Sequence, residues 1–206
     1  MGDIGILGGT FNPPHMGHLV MAQEALDQLD LDRVVFMPVA VPPHKEARED
    51  PGPAARLELS RLAVAGDERF EVSSLEVDRG GASYTVDTLR ELHDVEPEHD
   101  LTFIVGGDMA ASLPTWREPE AVLQAATLAV AERTGARRAD IEERLSGLDG
   151  ASDRVRFFDM PRLDISSSDI RRRVRENRPI RYLVPDEVAR YIGANGLYRT
   201  EVPAHD

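Results

Sequence analysis

Short apolar runs alternate with segments of helical periodicity along the chain. Asp3–Leu7 is an apolar run that ends in glycines, which is typical of a strand buried on both faces of a sheet. The next segment, Gly17–Leu29, repeats its apolar residues with the period of a helix. Later strands are predicted at Arg33–Pro38, Phe70–Val77, Leu101–Val105, Thr127–Ala131 and Arg154–Phe158. Later helices are predicted at Ala54–Ala65, Thr85–His93, Glu118–Ala126, Ala139–Leu145, Ser167–Glu176 and Asp186–Ala194.

This alternation of strands and helices predicts an α/β fold, namely a Rossmann-like, doubly wound and mostly parallel sheet with helices on both faces. We interpret residues 1–206 as a single domain, because no linker-like segment or internal repeat interrupts the pattern. The helical part at about residues 165–200 belongs to the same domain. Doubly wound sheets bind ligands beyond the carboxyl ends of their strands. The loops that follow the strands are therefore where we expect functional residues.

Composition narrows the class of protein. Hydrophobic residues make up 41% of the chain and cysteine is absent, so a core can form but disulfides and thiolate metal sites cannot. There is no apolar run of about 18 residues and no signal-peptide pattern, which predicts a cytoplasmic protein without a membrane span. The net charge of -13 disfavours nucleic acid as a general partner. The exception is a group of arginines between Arg171 and Arg181, which is either a solvated helix face or a site for a small anion.

The loop after the first strand has the composition of an anion-binding site. Residues 8–18 read Gly-Gly-Thr-Phe-Asn-Pro-Pro-His-Met-Gly-His. The glycines allow a tight turn and a close approach to a ligand, and the prolines delay the start of the helix. His15 and His18 are three residues apart at that start, so both can face one anion. Two histidines at this spacing are common on surfaces and a zinc site would lack a third ligand, but the whole string favours phosphate contacts.

A second candidate for phosphate binding lies late in the chain. Residues 165–171 read Ile-Ser-Ser-Ser-Asp-Ile-Arg and open a predicted helix. Serines at a helix start commonly act as caps, which is the simpler interpretation. Ser167 and Ser168 can also contact a phosphate, because the backbone N–H groups and the helix dipole favour an anion there. Arg171, one turn further, would add a charged fork.

These two strings resemble the signature motifs of the His-x-Gly-His nucleotidyltransferases, and above all those of the bacterial nicotinate-nucleotide adenylyltransferases. The resemblance spans about residues 3–199 and implies the nucleotidylyltransferase form of the Rossmann-like fold. In that family the motifs contact the ATP phosphates, and the second histidine, here His18, is the main catalytic contact. Asn12 replaces a more usual aspartate, and Ser168 replaces a threonine. The resemblance implies catalytic roles for His18, His15 and Arg171, and ATP contacts for Gly8, Gly9, Thr10, Phe11, His15, His18, Gly106, Asp108, Ser167, Ser168 and Arg171.

Two further segments resemble the acceptor site of the same family. Pro42–Lys45 contains a Pro-His-Lys motif whose lysine, here Lys45, lies near substrate phosphates in that family, although an exposed proline loop would look the same. Ser83–Leu89 resembles the segment whose helix start, at Tyr84 and Thr85, receives the nicotinate carboxylate. A helix N-terminus prefers a carboxylate to a neutral carboxamide, so the physical chemistry agrees with the resemblance.

The segment 106–116 follows a predicted strand and ends in the only tryptophan. Asp108, at the carboxyl end of that strand, is either a helix cap or a ligand of a ribose. Trp116 is either a core residue or, as the resemblance implies, a residue that stacks on the pyridine ring of the acceptor. Both interpretations of each residue stay open at this point.

The resemblance implies direct attack of the 5′-phosphate of nicotinate mononucleotide on the α-phosphorus of ATP, with release of pyrophosphate. Mg²⁺ is the expected cofactor, bound with ATP, and no metal site of the protein's own is predicted. The expected partners are ATP and nicotinate mononucleotide, with no nucleic acid and no membrane. A homo-oligomer is compatible with the sequence, which does not determine the oligomeric state. Three alternatives remain: a sister transferase using nicotinamide mononucleotide or another phosphate acceptor, a non-catalytic ATP or NAD sensor, and a nucleic-acid-binding module.

Overall fold

Six parallel strands form one sheet in the computed structural model, which describes residues 2–42, 49–132 and 138–199. The strands are β1 (Gly2–Gly9), β2 (Arg33–Pro38), β3 (Phe70–Val72), β4 (His99–Gly106), β5 (Thr127–Glu132) and β6 (Val155–Asp159). Their order across the sheet is β3-β2-β1-β4-β5-β6, and each neighbouring pair is parallel. The structure confirms the predicted doubly wound α/β fold.

Helices connect the strands and cover both faces of the sheet. They are α1 (Met16–Gln28), α2 (Pro53–Val64), α3 (Leu75–Arg79), α4 (Thr85–Val95), α5 (Gly107–Ser112), α6 (Pro119–Ala125), α7 (Arg138–Leu145), α8 (Ala151–Arg154), α9 (Ser167–Arg175) and α10 (Asp186–Ala194). Ile4 and Ile6 of β1 pack into one buried cluster with residues of α4 and α6. Leu7 packs into a second cluster with residues of α1. Because both faces are covered, the strands read in the sequence as continuous apolar runs.

A third buried cluster joins the C-terminal helices to α2. Ile170 of α9 and Val188 of α10 pack there with Leu59, and all three side chains are almost completely buried. Apolar burial of this kind is the main force that holds one element against another. The part of the chain that carries the second predicted phosphate motif is therefore fixed to α2 by apolar packing.

The predicted strand at Phe70–Val77 is wrong beyond its first three residues. β3 covers only those three, and α3 occupies the end of the range. The hydroxyl of Ser73 accepts the backbone N–H of Leu75 at 3.2 Å, and this local bond replaces a bond to the neighbouring strand. The short helices α5 and α8 are also absent from the sequence-based prediction, because so few residues show no helical period.

The strand order reverses between β1 and β4. From β1 the chain continues to β2 and β3 on one side of the sheet, whereas β4 leads to β5 and β6 on the other side. The loops that leave β1 and β4 therefore separate at the carboxyl edge. This divergence opens the crevice in which doubly wound sheets bind their ligands.

The start of α9 provides a test of one local contact. Ser166 is the N-cap residue, and its hydroxyl oxygen accepts the backbone N–H of Asp169 at 3.1 Å. We expect Ser166→Ala to lower the free energy of unfolding, measured in urea, by about 1 kcal/mol, because this N–H loses its acceptor. Ser74→Ala is the control, since Ser74 is also an N-cap residue but its side chain makes no cap hydrogen bond and only an exposed bond to the carboxylate of Asp78. Equal losses in the two variants would contradict the expected role of Ser166.

Candidate active site

A cleft of about 310 Å³ lies at the carboxyl ends of β1 and β4. Residues from the first motif line one part of it, and residues from α4 and from the segment before α6 line another. The sequence-predicted residues that line the cleft are Gly8, Gly9, Thr10, His18, Tyr84, Thr85, Gly106 and Trp116. The structure thus brings residues of three predicted motifs to the crevice expected for this fold.

The two histidines of the first motif form a stacked pair at the start of α1. Their ring centroids are 3.7 Å apart, and the backbone N–H of His15 donates to Nδ1 of His18 at 3.1 Å. This bond orients the His18 ring through its Nδ1 atom. A neutral His18 ring then carries its proton on Nε2, the atom that would donate to a phosphate oxygen. His15 itself is buried, and His18 is the member of the pair that lines the cleft.

The ring of Phe11 packs against His18 and does not line the cleft. Its side chain is 2% exposed and lies edge-on to His18, with ring centroids 5.1 Å apart. A Cβ on Gly9 would lie only 3.0 Å from the Phe11 ring, so a glycine keeps the ring in place. The contact of Phe11 with ATP stays a prediction.

The second motif lies directly against the first. The Ser167 hydroxyl donates to the backbone carbonyl of Pro13 at 2.8 Å, and Nη1 of Arg171 donates to the carbonyl of Asn12 at 2.8 Å. Arg171 also donates from Nη2 to the Ser168 hydroxyl at 3.4 Å. These contacts join segments more than 150 residues apart in sequence. The start of α9 therefore lies beside the loop that leads into α1.

The six arginines of the group around Arg171 are paired with four nearby carboxylates. Glu49 pairs with two of these arginines, and Asp169 pairs with two others. Among the described residues the pairs are Arg171–Glu49, Arg172–Asp169, Arg173–Asp169, Arg175–Glu49, Arg178–Glu176 and Arg181–Asp186.

The opposite side of the cleft is formed by the start of α4 and by Trp116. The indole Nε1 of Trp116 donates to the Ser112 hydroxyl at 2.9 Å, and the ring lies edge-on to Phe103. Trp116 therefore packs partly against the core and partly lines the cleft. The guanidinium of Arg117 lies 4.9 Å from the centre of the Tyr84 ring, a cation–π contact that fixes this aromatic side chain.

The sequence-predicted site residues that are described but do not line the cleft are His15, Phe11, Asp108, Ser167, Ser168 and Arg171. Asp108 is exposed in the first turn of α5, and the N-cap residue of that helix is Gly106. The interpretation of Asp108 as a helix cap is therefore wrong, whereas its contact with a ribose stays a prediction. Lys45 lies outside the described residues. Among the residues that are described, no three His, Asp or Glu side chains are grouped so that they could hold a metal ion.

Sequence reasoning missed a completely buried arginine behind the cleft. Arg56 of α2 is 0% exposed. Its guanidinium donates to the backbone carbonyls of Thr10, Val39 and Ala40 at 3.1, 2.6 and 2.8 Å and to the Asp50 carboxylate at 2.9 Å. It thereby joins the loops that follow β1 and β2. Nothing in the sequence distinguishes this residue from a solvated arginine of an amphipathic helix.

Sequence reasoning also missed Glu76 and Ser83, which line the cleft beside Tyr84. The segment that contains Ser83 is attached to the loop after β2. The Ser83 hydroxyl accepts the N–H of Ala40 at 3.0 Å, and the Ser83 N–H donates to the carbonyl of Val41 at 3.0 Å. These bonds fix the start of α4, whose residues Tyr84 and Thr85 line the cleft, relative to the loop after β2.

Comparison with known proteins places this architecture in a family. The cytidylyltransferase-like family model matches residues 6–173. The chain is 46% identical over 197 residues to a probable nicotinate-nucleotide adenylyltransferase of Desulfitobacterium hafniense (strain Y51), with 95% of each chain covered. It is 47% identical over 196 residues to a probable nicotinate-nucleotide adenylyltransferase of Roseiflexus sp., with 95% of this chain and 98% of that protein covered.

A solved structure shares the fold. Plasmodium falciparum nicotinic acid mononucleotide adenylyltransferase complexed with APC superposes with a TM-score of 0.78 over 96% of this chain and 98% of that chain. The sequence identity is 17%, so this likeness concerns the fold alone. The family assignment depends instead on the relatives of more than 40% identity and on the matching family model. The chain belongs to the nicotinate-nucleotide adenylyltransferase family, within the cytidylyltransferase-like nucleotidyltransferases.

Proposed function

We propose that the protein transfers the adenylyl group of ATP to nicotinate mononucleotide, giving nicotinate adenine dinucleotide and pyrophosphate for NAD biosynthesis. In this reaction an oxygen of the acceptor 5′-phosphate bonds to the α-phosphorus of ATP, while the bond from the α-phosphorus to the bridging oxygen of pyrophosphate breaks. The observation that carries the proposal is the cleft between the glycine–histidine loop and the start of α4. It offers one side for a triphosphate and another for a carboxylate-bearing ring.

The ATP half of the proposed site consists of the glycine–histidine loop and the start of α9. His18 would donate from Nε2 to an oxygen of the α-phosphate, and His15 orients it through the bond at 3.1 Å. Ser167, Ser168 and Arg171 would hold the leaving pyrophosphate, because Arg171 supplies a planar fork at a helix N-terminus. Gly8, Gly9 and Thr10 would allow the backbone to approach the phosphates closely.

The acceptor half consists of the start of α4 and the Trp116 ring. The first backbone N–H groups of α4, at Tyr84 and Thr85, would receive the ring carboxylate. Trp116 would stack on the pyridine ring. Asp108 and the backbone at Gly106 would contact a ribose, and Lys45 would lie near the substrate phosphates.

The chemistry requires positioning and charge stabilisation rather than a strong base. A phosphate monoester is already anionic at neutral pH, so the acceptor needs little deprotonation before it attacks. Mg²⁺ bound with ATP would supply positive charge that stabilises the charge developing on the phosphates. We expect the reaction in the cytoplasm, where ATP is available, and no described helix could span a membrane.

Pyrophosphate release with two acceptors tests the proposal. We expect kcat/KM for nicotinate mononucleotide to exceed that for nicotinamide mononucleotide by about 10-fold to 30-fold, since a carboxylate at a partly buried helix N-terminus gains up to about 2 kcal/mol. Both acceptors carry the same ribose 5′-phosphate, so the difference reports on the ring substituent alone. Faster turnover of the nicotinamide compound would identify a sister transferase. Absence of pyrophosphate release with either compound would indicate a non-catalytic nucleotide sensor.

A further inference from the structure

Glu76 of α3 lines the acceptor side of the cleft although its side chain is almost completely buried. The residue is 5% exposed and lines the same cavity as Tyr84 and Thr85. Its Oε1 accepts the hydroxyl proton of Thr88 at 2.6 Å. Among the described residues no group forms a hydrogen bond with the other carboxyl oxygen, Oε2, which is buried as well. A buried oxygen in this state is costly and rare in folded proteins.

The charges around Glu76 compensate it only in part. Arg79 on the same helix acts on it favourably, but Arg79 also pairs with Glu91 of α4 at 3.0 Å, and Glu91 opposes a charge on Glu76. Burial is the largest influence, and it raises the pKa of the Glu76 carboxyl above its usual value. A carboxyl group with a raised pKa is more readily protonated when a negatively charged ligand binds close to it.

Several other charged side chains on the elements around α3 are paired elsewhere. Arg56 of α2 pairs with Asp50. Arg33 of β2 pairs with Glu71 and Glu96. On α4 and the segment after it, Asp87 pairs with Arg90 and Arg117. Because these side chains are paired with each other, they add little to the partial compensation of the Glu76 charge by Arg79.

The position of Glu76 matters because the start of α4 is the proposed site for the ring carboxylate. Two ionised carboxylates in one poorly hydrated cavity repel each other strongly, and one of them takes up a proton instead. We propose that Glu76 determines acceptor specificity, because the cleft binds the anionic nicotinate ring while the Glu76 carboxyl carries a proton. This inference rests on the proposed function. The bound proton lets Oε2 donate a hydrogen bond. A neutral carboxamide ring, in contrast, binds without proton uptake by Glu76.

The proposal predicts an acceptor preference that depends on pH in one direction. As the pH rises, Glu76 loses its proton and the nicotinate ring binds less well, while the nicotinamide ring is unaffected by this step. The ratio of kcat/KM for the two mononucleotides should therefore fall by about 10-fold or more as the pH is raised through the titration of Glu76. Ionisation of the 5′-phosphate and of the histidines influences both acceptors alike and cancels in this ratio.

Glu76→Gln tests the assignment, because glutamine keeps the shape and an N–H donor but does not titrate. We expect the ratio in this variant to be independent of pH and, at the alkaline end, about 10-fold or more above that of the native enzyme. Glu91→Gln is the control: it alters the same Arg79 cluster from outside the cleft, so the ratio should still fall with rising pH, but at lower pH than in the native enzyme because a charge that opposes ionisation of Glu76 is lost. A ratio that is independent of pH in the native enzyme, or that falls equally in Glu76→Gln, would overturn the proposal.

Calorimetry separates this inference from the proposed function and does not depend on the folding of any variant. Native enzyme is titrated with each mononucleotide in the absence of ATP, in two buffers of different ionisation enthalpy. Nicotinate mononucleotide should bind with greater proton uptake than nicotinamide mononucleotide at about pH 8. Equal uptake, or no binding of nicotinate mononucleotide, would overturn the role of Glu76. If uptake differs but neither compound yields pyrophosphate, the proposed function fails while the role of Glu76 in binding stands.

Discussion

Replacing His18 with alanine is expected to lower kcat for pyrophosphate release by about 10²-fold to 10⁴-fold, the range of a positioned contact to the transition state. The His18 ring lines the cleft, and its tautomer is set by the N–H of His15 at 3.1 Å. A donor held in this way requires no reorientation when charge develops on the α-phosphate. If the contact forms only in the transition state, kcat and kcat/KM fall by the same factor.

A second variant separates the catalytic role of His18 from its structural role. His18 is the N3 residue of α1, where a glutamine side chain is also able to accept the N-cap N–H. His18→Gln should therefore retain most of the native stability in urea but only a small part of the native kcat. His93→Ala, at an exposed position near the end of α4, should leave both quantities unchanged. Near-native kcat in His18→Ala would remove this residue from the mechanism.

The fold could be predicted because its signals are local and strong. Buried parallel strands are continuous apolar runs, and β2 has the boundaries that the sequence predicts. β3 shows the limit of this reasoning. Its range looks like an alternating strand to the end, but the side chain of Ser73 offers the backbone a local partner. A backbone N–H can bond either to the neighbouring strand or to a nearby side chain. These two arrangements differ little in free energy, and the apolar pattern does not decide between them.

The candidate site could be predicted in part. Residues such as His18 and Trp116 have side chains that are recognisable in a motif, and both line the cleft. The contact between the two phosphate motifs could not be derived, because Ser167 and Arg171 bind backbone carbonyls. Every residue has such a carbonyl, so no residue type marks the acceptor. For the same reason nothing in the sequence indicates that Arg56 is buried.

The largest loss of stability is expected for Arg56→Ala. The completely buried guanidinium makes four hydrogen bonds, three of them to carbonyls in the loops after β1 and β2. Alanine leaves these carbonyls unsatisfied and leaves Asp50, whose side chain is only 14% exposed, without its ion-pair partner. Removal of one member of a buried pair costs about 3–5 kcal/mol, and we expect the free energy of unfolding in urea to fall by this amount.

Activity of the folded fraction should fall as well, because Arg56 holds two residues that line the cleft. It binds the carbonyls of Thr10 and Val39, and Thr10 belongs to the proposed ATP side. Arg56→Lys keeps the charge, but an ammonium group cannot span three carbonyls and a carboxylate as a planar fork does. We therefore expect a smaller loss of stability and a raised KM for ATP. Arg61→Ala, on an exposed side of the same helix, should cost less than about 0.5 kcal/mol. A loss in Arg56→Ala no larger than in Arg61→Ala would contradict the assigned role, since it would mean that the loops after β1 and β2 are held in place by other contacts.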